Sequence, residues 1–566
     1  MSAAAPAGGA ELGQIAIVVG FVSVAYAFLF AFALAHRAGR PTRIGALAER
    51  IGAWQRIPPW AGLPLGVVSV SLVTVYLGLM WDMSLHIDKG RDPGPLANPA
   101  HYLILLGLYG IFAAGFLALA LGTPGRRPTG GILLAAAGTF ALAGFPLDDV
   151  WHRLFGQDVT LWGPTHLIMM GGGVLSIVGV AVLLAESGSR LCFARVLACA
   201  TLLVGLSAFM GEFDFSVPQF RLVLQPALIA FASGVALVAA RRWAGPGGAL
   251  AASGLALAMA LATALTVKLA GEAMPLMPLF LPGGIAVELA FLARRGPVTA
   301  GALTATVGLA GEWAWTQAAM PIAWTPALLP EAAIMAVVAG VAGAVIGGQL
   351  GGALRREPPR RWLATAALAA FAAVIADGLV EHTPAGARAT IVRDGAGMTV
   401  RVEPAALADD AASVRYVAWQ GGPPRREATL RRLAPGVYRT GDAVPARGDW
   451  KSLVLIDSGR ALVAAPVYEP ADSAIPVREV PARARVTRPL EKTRDLLQRE
   501  RRPDVPAWLW TSASLVVLVL GLGFLGLLGW GVDRFARGSS STARTSPSPR
   551  RRRFAAHPSH RSPAGT

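Results

Sequence analysis

The chain has 566 residues, of which 54% are hydrophobic and only 15% charged, with a mean hydropathy of +0.52. A soluble protein of this length carries more charge on its surface, so a soluble globular class is excluded. The net charge of +17 raises nucleic acid as a partner. The arginines, however, stand in short clusters between apolar segments and in the tail, which is a membrane-topology pattern, and no nucleic-acid partner is expected.

Apolar stretches of about 20 residues, the length that crosses hydrocarbon as a helix, recur about thirteen times. They lie near residues 13–35, 61–81, 101–122, 130–148, 166–186, 194–212, 222–240, 247–268, 276–293, 298–320, 327–353, 362–380 and 507–531. The first has no basic stretch before it and no convincing cleavage site, so it reads as a retained helix. Arg37, Arg40, Arg43, Arg50 and Arg56 follow the first span, Arg126 and Arg127 the third, and Arg190 and Arg195 the fifth. Arg241 and Arg242 follow the seventh, Arg294 and Arg295 the ninth, and Arg355, Arg356, Arg360 and Arg361 the eleventh. Under the positive-inside rule these clusters face the cytoplasm of a plasma (inner) membrane, with the N-terminus outside and the tail inside. Cys192 and Cys199 fall at the cytoplasmic end of one span and read as reduced core residues.

The expected fold class is an all-α polytopic membrane bundle of tandem helical hairpins with an inserted extracytoplasmic β-sandwich. Residues 1–382 form the bundle and 383–472 the sandwich, where Met398–Val402 and Ser452–Ile456 read as strands with Pro435-Gly436 between them. A Pro/Arg/Glu-rich linker follows over 473–505, then a final span over 506–532 and a disordered, basic cytoplasmic tail over 533–566.

Two consecutive outward hairpins repeat one pattern. The first reads Asp82-x3-His86-x3-Gly90-x-Asp92, then Pro99-x-His101; the second reads Asp148-x3-His152-x3-Gly156-x-Asp158, then Pro164-x-His166. Glu212, Glu272 and Glu312, each after a glycine, are weaker echoes, with Pro226, Pro282 and Pro326 near the start of the next span. An Asp and a His four apart on a helix share one face. The second histidine opens the returning helix and can face the same point. Each repeat therefore offers one carboxylate and two imidazoles, a set suited to copper, iron or zinc with positions left open. Asp92 and Asp158 are candidates to accept the free imidazole N–H behind the ligands. Asp88 and Asp149 are further carboxylates at the same level, without a counterpart in the other repeat. The plain alternative is interfacial polarity: helix caps, or ion pairs with Lys89, Arg91 and Arg153. Trp81, Trp151 and Trp162 suit an aromatic belt, and Met210, Met274 and Met277 suit apolar packing.

The Asp82/His86/His101 and Asp148/His152/His166 sets resemble the metal site of the membrane C subunit of copper-dependent methane and ammonia monooxygenases. The resemblance implies that the sets ligate copper, as two mononuclear sites or one shared dinuclear site, and take part in oxygen chemistry. It covers these short motifs alone; the span count, the duplication and the C-terminal module depart from that family. The Pro435–Tyr438 and Gly448–Trp450 stretches resemble the extracytoplasmic sandwich modules of FixH-like and copper-resistance-like proteins.

Three functions follow as expectations. The first is a membrane metalloprotein, copper first and iron or zinc next, of oxidase or monooxygenase type, taking a small or lipophilic substrate from the lipid bilayer. The second is a permease or metal-handling transporter. The third is a non-catalytic assembly subunit that docks a partner through the sandwich. Few charges stand near the centre of any span, which disfavours transport. No Cys-x-x-Cys-His or Gly-rich nucleotide loop is present, so no organic cofactor site is expected and catalytic residues stay unassigned.

Overall fold

The computed structural model describes residues 9–90, 94–123, 127–156, 160–395, 397–422, 424–472, 477–497, 501–502, 504–538 and 565. Asp92, Asp158, Arg91 and Arg126, as well as the tail beyond Gly538 apart from Gly565, lie outside these residues.

Among the described residues eleven helices are long and apolar enough to cross a membrane. The helical region opens with α1 (Leu12–Arg37), the short amphipathic α2 (Arg43–Gln55), α3 (Pro59–Lys89) and α4 (Pro99–Ala120). Next come α5 (Thr129–Phe155), α6 (Pro164–Glu186) and α7 (Cys192–Ser207), the last running through a tighter turn into α8 (Gly211–Asp214). They are followed by α9 (Leu224–Trp243), α10 (Gly248–Leu269), α11 (Leu281–Leu292), α12 (Pro297–Leu303), α13 (Leu309–Ala319), α14 (Leu329–Ala353) and α15 (Arg361–Gly378). Ile17, Phe21 and Phe28 of α1 are exposed. Such apolar faces would be costly in water and suit the lipid of an integral membrane protein. At the centre, α9 and α14 approach backbone to backbone: a Cβ on Gly234 would lie 2.6 Å from the Ala344 nitrogen, and one on Gly343 would lie 2.3 Å from the Phe231 carbonyl. Small residues allow such contact where burial of apolar surface drives little association.

Two expected spans differ. The one near 276–293 is reduced to the 12-residue α11, because Pro275 and Pro278 lack the N–H a helix needs and keep 273–280 out of it. The one near 298–320 is α12 and α13 joined by a π-helical turn at Thr304–Gly308.

The basic clusters gather at one end. Arg355 Nη1 donates to the Arg242 carbonyl, Arg242 pairs with Glu357, Arg195 donates to the Trp243 carbonyl, and Arg361 pairs with Asp533. Carboxylates also cap helix N-termini there. Glu186 accepts the Thr129 and Gly130 N–H groups at 2.9 Å each, and Glu288 accepts those of Gly247 and Ala249. These are the orphan donors that a helix start leaves open.

The C-terminal region is a separate β structure. Its strands are β1 (Arg388–Asp394), β2 (Gly397–Glu403), β3 (Ser413–Trp419), β4 (Arg426–Thr429) and β5 (Arg431–Ala434), then β6 (Val437–Thr440), β7 (Lys451–Ser458), β8 (Ala461–Tyr468), β9 (Arg485–Pro489) and β10 (Glu491–Lys492). A one-turn helix, α16 (Ala406–Asp409), lies between β2 and β3. The strands form two five-stranded sheets ordered β5-β6-β2-β1-β9 and β10-β8-β7-β3-β4. Ile391, Met398 and Val400 of one meet Tyr416, Ile456 and Val463 of the other in one buried cluster.

The stretch 473–505, expected as a linker, instead carries β9 on β1, β10 on β8, and α17 (Thr493–Leu497). Its alternation is masked because β9 is an edge strand whose Arg485, Thr487 and Pro489 face outward, a charged edge of the kind that discourages further pairing. The last helix, α18, runs over Ala507–Arg537, five residues past the expected end at 532. It packs beside α5 and α6.

The β region sits on the end of the bundle opposite the basic clusters. Arg415 Nη1 donates to the Ser216 carbonyl at 2.9 Å, and Arg425 Nη2 to the Phe215 carbonyl at 3.2 Å. Arg221, wholly buried, pairs with Glu331, which Arg460 also holds at 2.7 Å.

Candidate metal centre

The two repeated hairpins are α3–α4 and α5–α6, and the shared residues recur for local reasons. Gly90 and Gly156 end α3 and α5 at positive φ, 76° and 83°. Each N–H closes the last turn onto the carbonyl of His86 or His152 at 2.9 Å. Pro99 and Pro164 occupy the first turn of the returning helix, where the missing N–H costs nothing. His101 and His166 therefore stand in the first turn of α4 and α6, facing back toward Asp82 and Asp148.

In the first set His86 Nε2 lies 3.5 Å from Asp82 Oδ1, and His101 Nε2 lies 3.0 Å from the same oxygen. In the second, His152 Nε2 lies 3.7 Å from Asp148 Oδ2, and His166 Nε2 lies 3.4 Å from Asp148 Oδ1. Within each set the three ligand atoms lie within 4.8 Å of one another. A tetrahedral ion with bonds near 2.0–2.1 Å separates its ligands by roughly 3.4 Å. The four carboxylate–imidazole distances bracket that value.

Three imidazoles have their other nitrogen committed. His101 Nδ1 donates to the Pro95 carbonyl at 2.7 Å, His166 Nδ1 to the Thr160 carbonyl at 2.8 Å, and His86 Nδ1 lies 3.4 Å from the Gly90 carbonyl. A carbonyl only accepts, so Nδ1 carries the proton and a neutral ring turns its Nε2 lone pair toward the carboxylate. That arrangement is repulsive unless a cation lies between, either a proton on each ring or a metal. Two imidazolium rings would each pair with the carboxylate while repelling one another across centroids 6.4 Å apart in each set. One divalent ion joins the same three groups with neutral imidazoles.

Each carboxylate is also steered by a neighbour that the sequence reading did not single out. Asn98 Nδ2 donates to Asp82 Oδ1 at 2.6 Å, and Thr165 Oγ1 to Asp148 Oδ1 at 2.5 Å. Asn98 stands just before Pro99 and Thr165 just after Pro164, so the two occupy different positions of the repeat and pattern alone does not pair them. Glu212 accepts the Thr160 hydroxyl at 2.6 Å and the Leu161 N–H at 3.0 Å. It thereby fixes the loop whose carbonyl orients His166. Glu312 plays the parallel part for Leu279 and Phe280 N–H, at 3.0 and 2.7 Å, and Glu272 pairs with Lys89 at 3.3 Å.

Asp88 and Asp149 serve elsewhere. Asp88 Oδ1 accepts the Arg425 N–H at 3.3 Å, and Asp149 binds Arg153 and the Ala10 N–H, each at 2.7 Å. Asp149 lies one residue and Asp88 two residues off the ligand positions, on other faces of their helices, and they anchor neighbouring segments rather than the triad histidines.

All six triad residues line one cavity of about 870 Å³. Trp151 packs against Phe155 and Trp510, and Trp162 against Phe220, away from it. The aromatics that do line it are Trp54, Tyr76, Phe145 and, from β3, Trp419, together with Met83, Met169 and Met170 from the bundle. Of the methionines expected to pack, Met210 is fully buried and Met277 accepts the Tyr76 hydroxyl.

Compared with known proteins, the chain matches no family model, no curated protein and no solved structure.

Proposed function

We propose that this protein is a membrane metalloprotein whose two Asp/His/His sets each hold a transition-metal ion, copper first, for redox chemistry of oxidase or monooxygenase type. The observation that carries the reading is the shared orientation of the imidazoles. Nε2 of both rings faces the carboxylate in each set, while Nδ1 of His86, His101 and His166 faces a backbone carbonyl.

Asp82, His86 and His101 would hold one ion and Asp148, His152 and His166 the other. Three protein ligands leave a coordination position open, and a metal there supplies Lewis-acid or one-electron chemistry. The chain's own residues orient and shield. Asn98 and Thr165 aim the carboxylates, the Pro95 and Thr160 carbonyls fix the ring tautomers, and the apolar cavity excludes water. The resemblance of these motifs to the monooxygenase C subunit favours copper over zinc.

In the same reading the bundle crosses an inner membrane thirteen times, with the short α11 and the α12–α13 pair included. The triads and a β-sandwich lie outside and the arginine clusters inside. Omitting α11 and the α12–α13 pair together leaves the side of every other arginine cluster unchanged, and counting both is what places Arg294 and Arg295 inside as well. The sandwich offers a docking face for a partner subunit.

Element analysis of the purified protein tests the assignment. The wild type should carry up to two ions, His86→Ala and His152→Ala should each lose one, and the double variant should lose both. Equal, low metal in all four samples after incubation with copper, iron or zinc would sink it.

A further inference from the structure

The cavity is not confined to the triads. Its lining continues along α6 from His166 to Leu184, about 27 Å of helix rise, close to the ~30 Å of a bilayer's hydrocarbon core. α3, α7 and α10 form much of the remaining wall, and α4 and α5 join it toward the triads. Val73, 56% exposed, and Ala262, also exposed, belong to the lining, so the groove opens sideways to the surroundings of the bundle.

Its few hydroxyl groups do not make it polar. Ser69 donates to the Leu65 carbonyl, Thr201 to Leu197, Thr263 to Met259 and Thr266 to Ala262, each within its own helix at 2.7–2.9 Å. Back-bonding of this kind hides the hydroxyl from a ligand. A long, narrow, mostly apolar groove of about 870 Å³ running over that length suits an extended alkyl chain lying along α6.

The triad end of the groove is capped by the β region through Trp419, Arg425 and Lys451. Arg425 is largely buried, with 13% of its side chain exposed. Glu427 lies 3.4 Å from both Arg425 and Arg415, Asp457 is 4.0 Å from Arg415, and Asp88 takes only the Arg425 main-chain N–H. Glu427 is thus shared by both guanidinium groups, with Asp457 beside Arg415 and Asp88 near Arg425, yet Arg425 Nη1 is buried with no hydrogen-bond acceptor among the described residues. A buried donor on a charged group seeks an acceptor, and an anionic one best.

We propose that the groove binds a single-chain anionic amphiphile drawn from the bilayer, its alkyl chain between α3, α6, α7 and α10 and its head group between Arg425 and the two triads. This names the substrate class of the metal site and rests on that reading for its chemistry, though not for its binding.

The test is saturable binding of radiolabelled palmitate to the full chain in nanodiscs, with element analysis of the same samples. Palmitate should bind, and hexadecyl phosphate should displace it about tenfold better than neutral hexadecanol. Competition between these anions separates a carboxylate from a phosphate head group. Ala262→Trp, on an exposed face, should weaken binding about tenfold or more by filling the groove. Arg425→Gln should weaken it about tenfold while Arg425→Lys keeps most of it. Gel filtration and thermal unfolding check that the variants fold. Absent saturable binding, or binding untouched by Ala262→Trp, would overturn the groove assignment; hexadecanol competing as well as hexadecyl phosphate would overturn the anionic head group. Palmitate binding retained by a metal-free His86→Ala/His152→Ala protein supports the groove on its own. Wild type that binds palmitate but takes up no metal would overturn the metal assignment and leave the groove standing.

Discussion

His101 Nδ1 donates to the backbone carbonyl of Pro95 at 2.7 Å, six residues back, and the same bond recurs between His166 and Thr160 at 2.8 Å. In both hairpins the loop before the returning helix dictates which imidazole nitrogen faces Asp82 or Asp148. The second loop is in turn held by Glu212 through the Thr160 hydroxyl. Thr160→Val should therefore loosen the His166 ring without removing a ligand. The expected result is metal affinity of the second set weakened about 10–100-fold, with the first set unchanged, as read by chelator competition.

Asn98 acts on the first set alone. Its Nδ2 holds Asp82 while its Oδ1 accepts the Ala100 N–H at 3.0 Å and caps α4. Asn98→Ala should cost about 1 kcal/mol of stability through the lost cap and weaken metal at the first set about tenfold. Asn98→Asp should restore the cap but place a second carboxylate against Asp82. Thermal unfolding should then recover more than metal affinity does.

Metal should also stabilise the fold, because a ligand that binds only the folded state shifts unfolding by mass action. At a free metal concentration 100 times Kd the gain is about 2.7 kcal/mol for a single site. The rise in Tm should shrink in Asp82→Ala and in Asp148→Ala and vanish in the double variant. An unchanged rise in the double variant would locate the metal elsewhere.

Gly90 is the tightest local constraint near the first set. Its φ is +76°, and a Cβ there would lie 2.6 Å from Gln420 Oε1 of the β region. Gly90→Ala should destabilise the hairpin by about 1–3 kcal/mol from backbone strain and fray the turn that carries His86. The corresponding Gly156→Ala should act on the second set. Metal stoichiometry of each variant, compared with its Tm, separates the two effects.

Arg221 is the buried anchor between bundle and β region, donating to the Asp377 and Gly459 carbonyls at 3.4 Å and pairing with Glu331. Arg221→Ala should destabilise by about 1–3 kcal/mol, since it empties a wholly buried site, removes the donor to the Gly459 carbonyl and leaves Glu331 and the Asp377 carbonyl to Arg460 alone. Arg460→Ala, at a side chain 34% exposed, should cost much less. Limited proteolysis between 379 and 388 should accelerate in the first variant and barely in the second.

Sequence alone reached the helical membrane class, because a run of about 20 apolar residues has few other uses. It also reached the two Asp/His/His sets, because duplication at fixed spacing puts Asp82 and His86, or Asp148 and His152, on one helix face whatever surrounds them. It misjudged 473–505, where charged edge strands hide their alternation, and drew the helix near 276–293 too long at Pro275 and Pro278, where hydropathy is blind to a missing N–H. Only the tertiary structure decided that Asn98, Thr165 and the Pro95 and Thr160 carbonyls steer the sets, that Asp88 and Asp149 turn away, and that Arg425 closes a groove reaching down the bundle. Spacing fixes directions within one helix. Contacts across a turn, such as Asn98 to Asp82, and between segments hundreds of residues apart, such as Arg425 to Asp88, depend on how the chain reverses and whole elements pack, and spacing within one helix does not encode that.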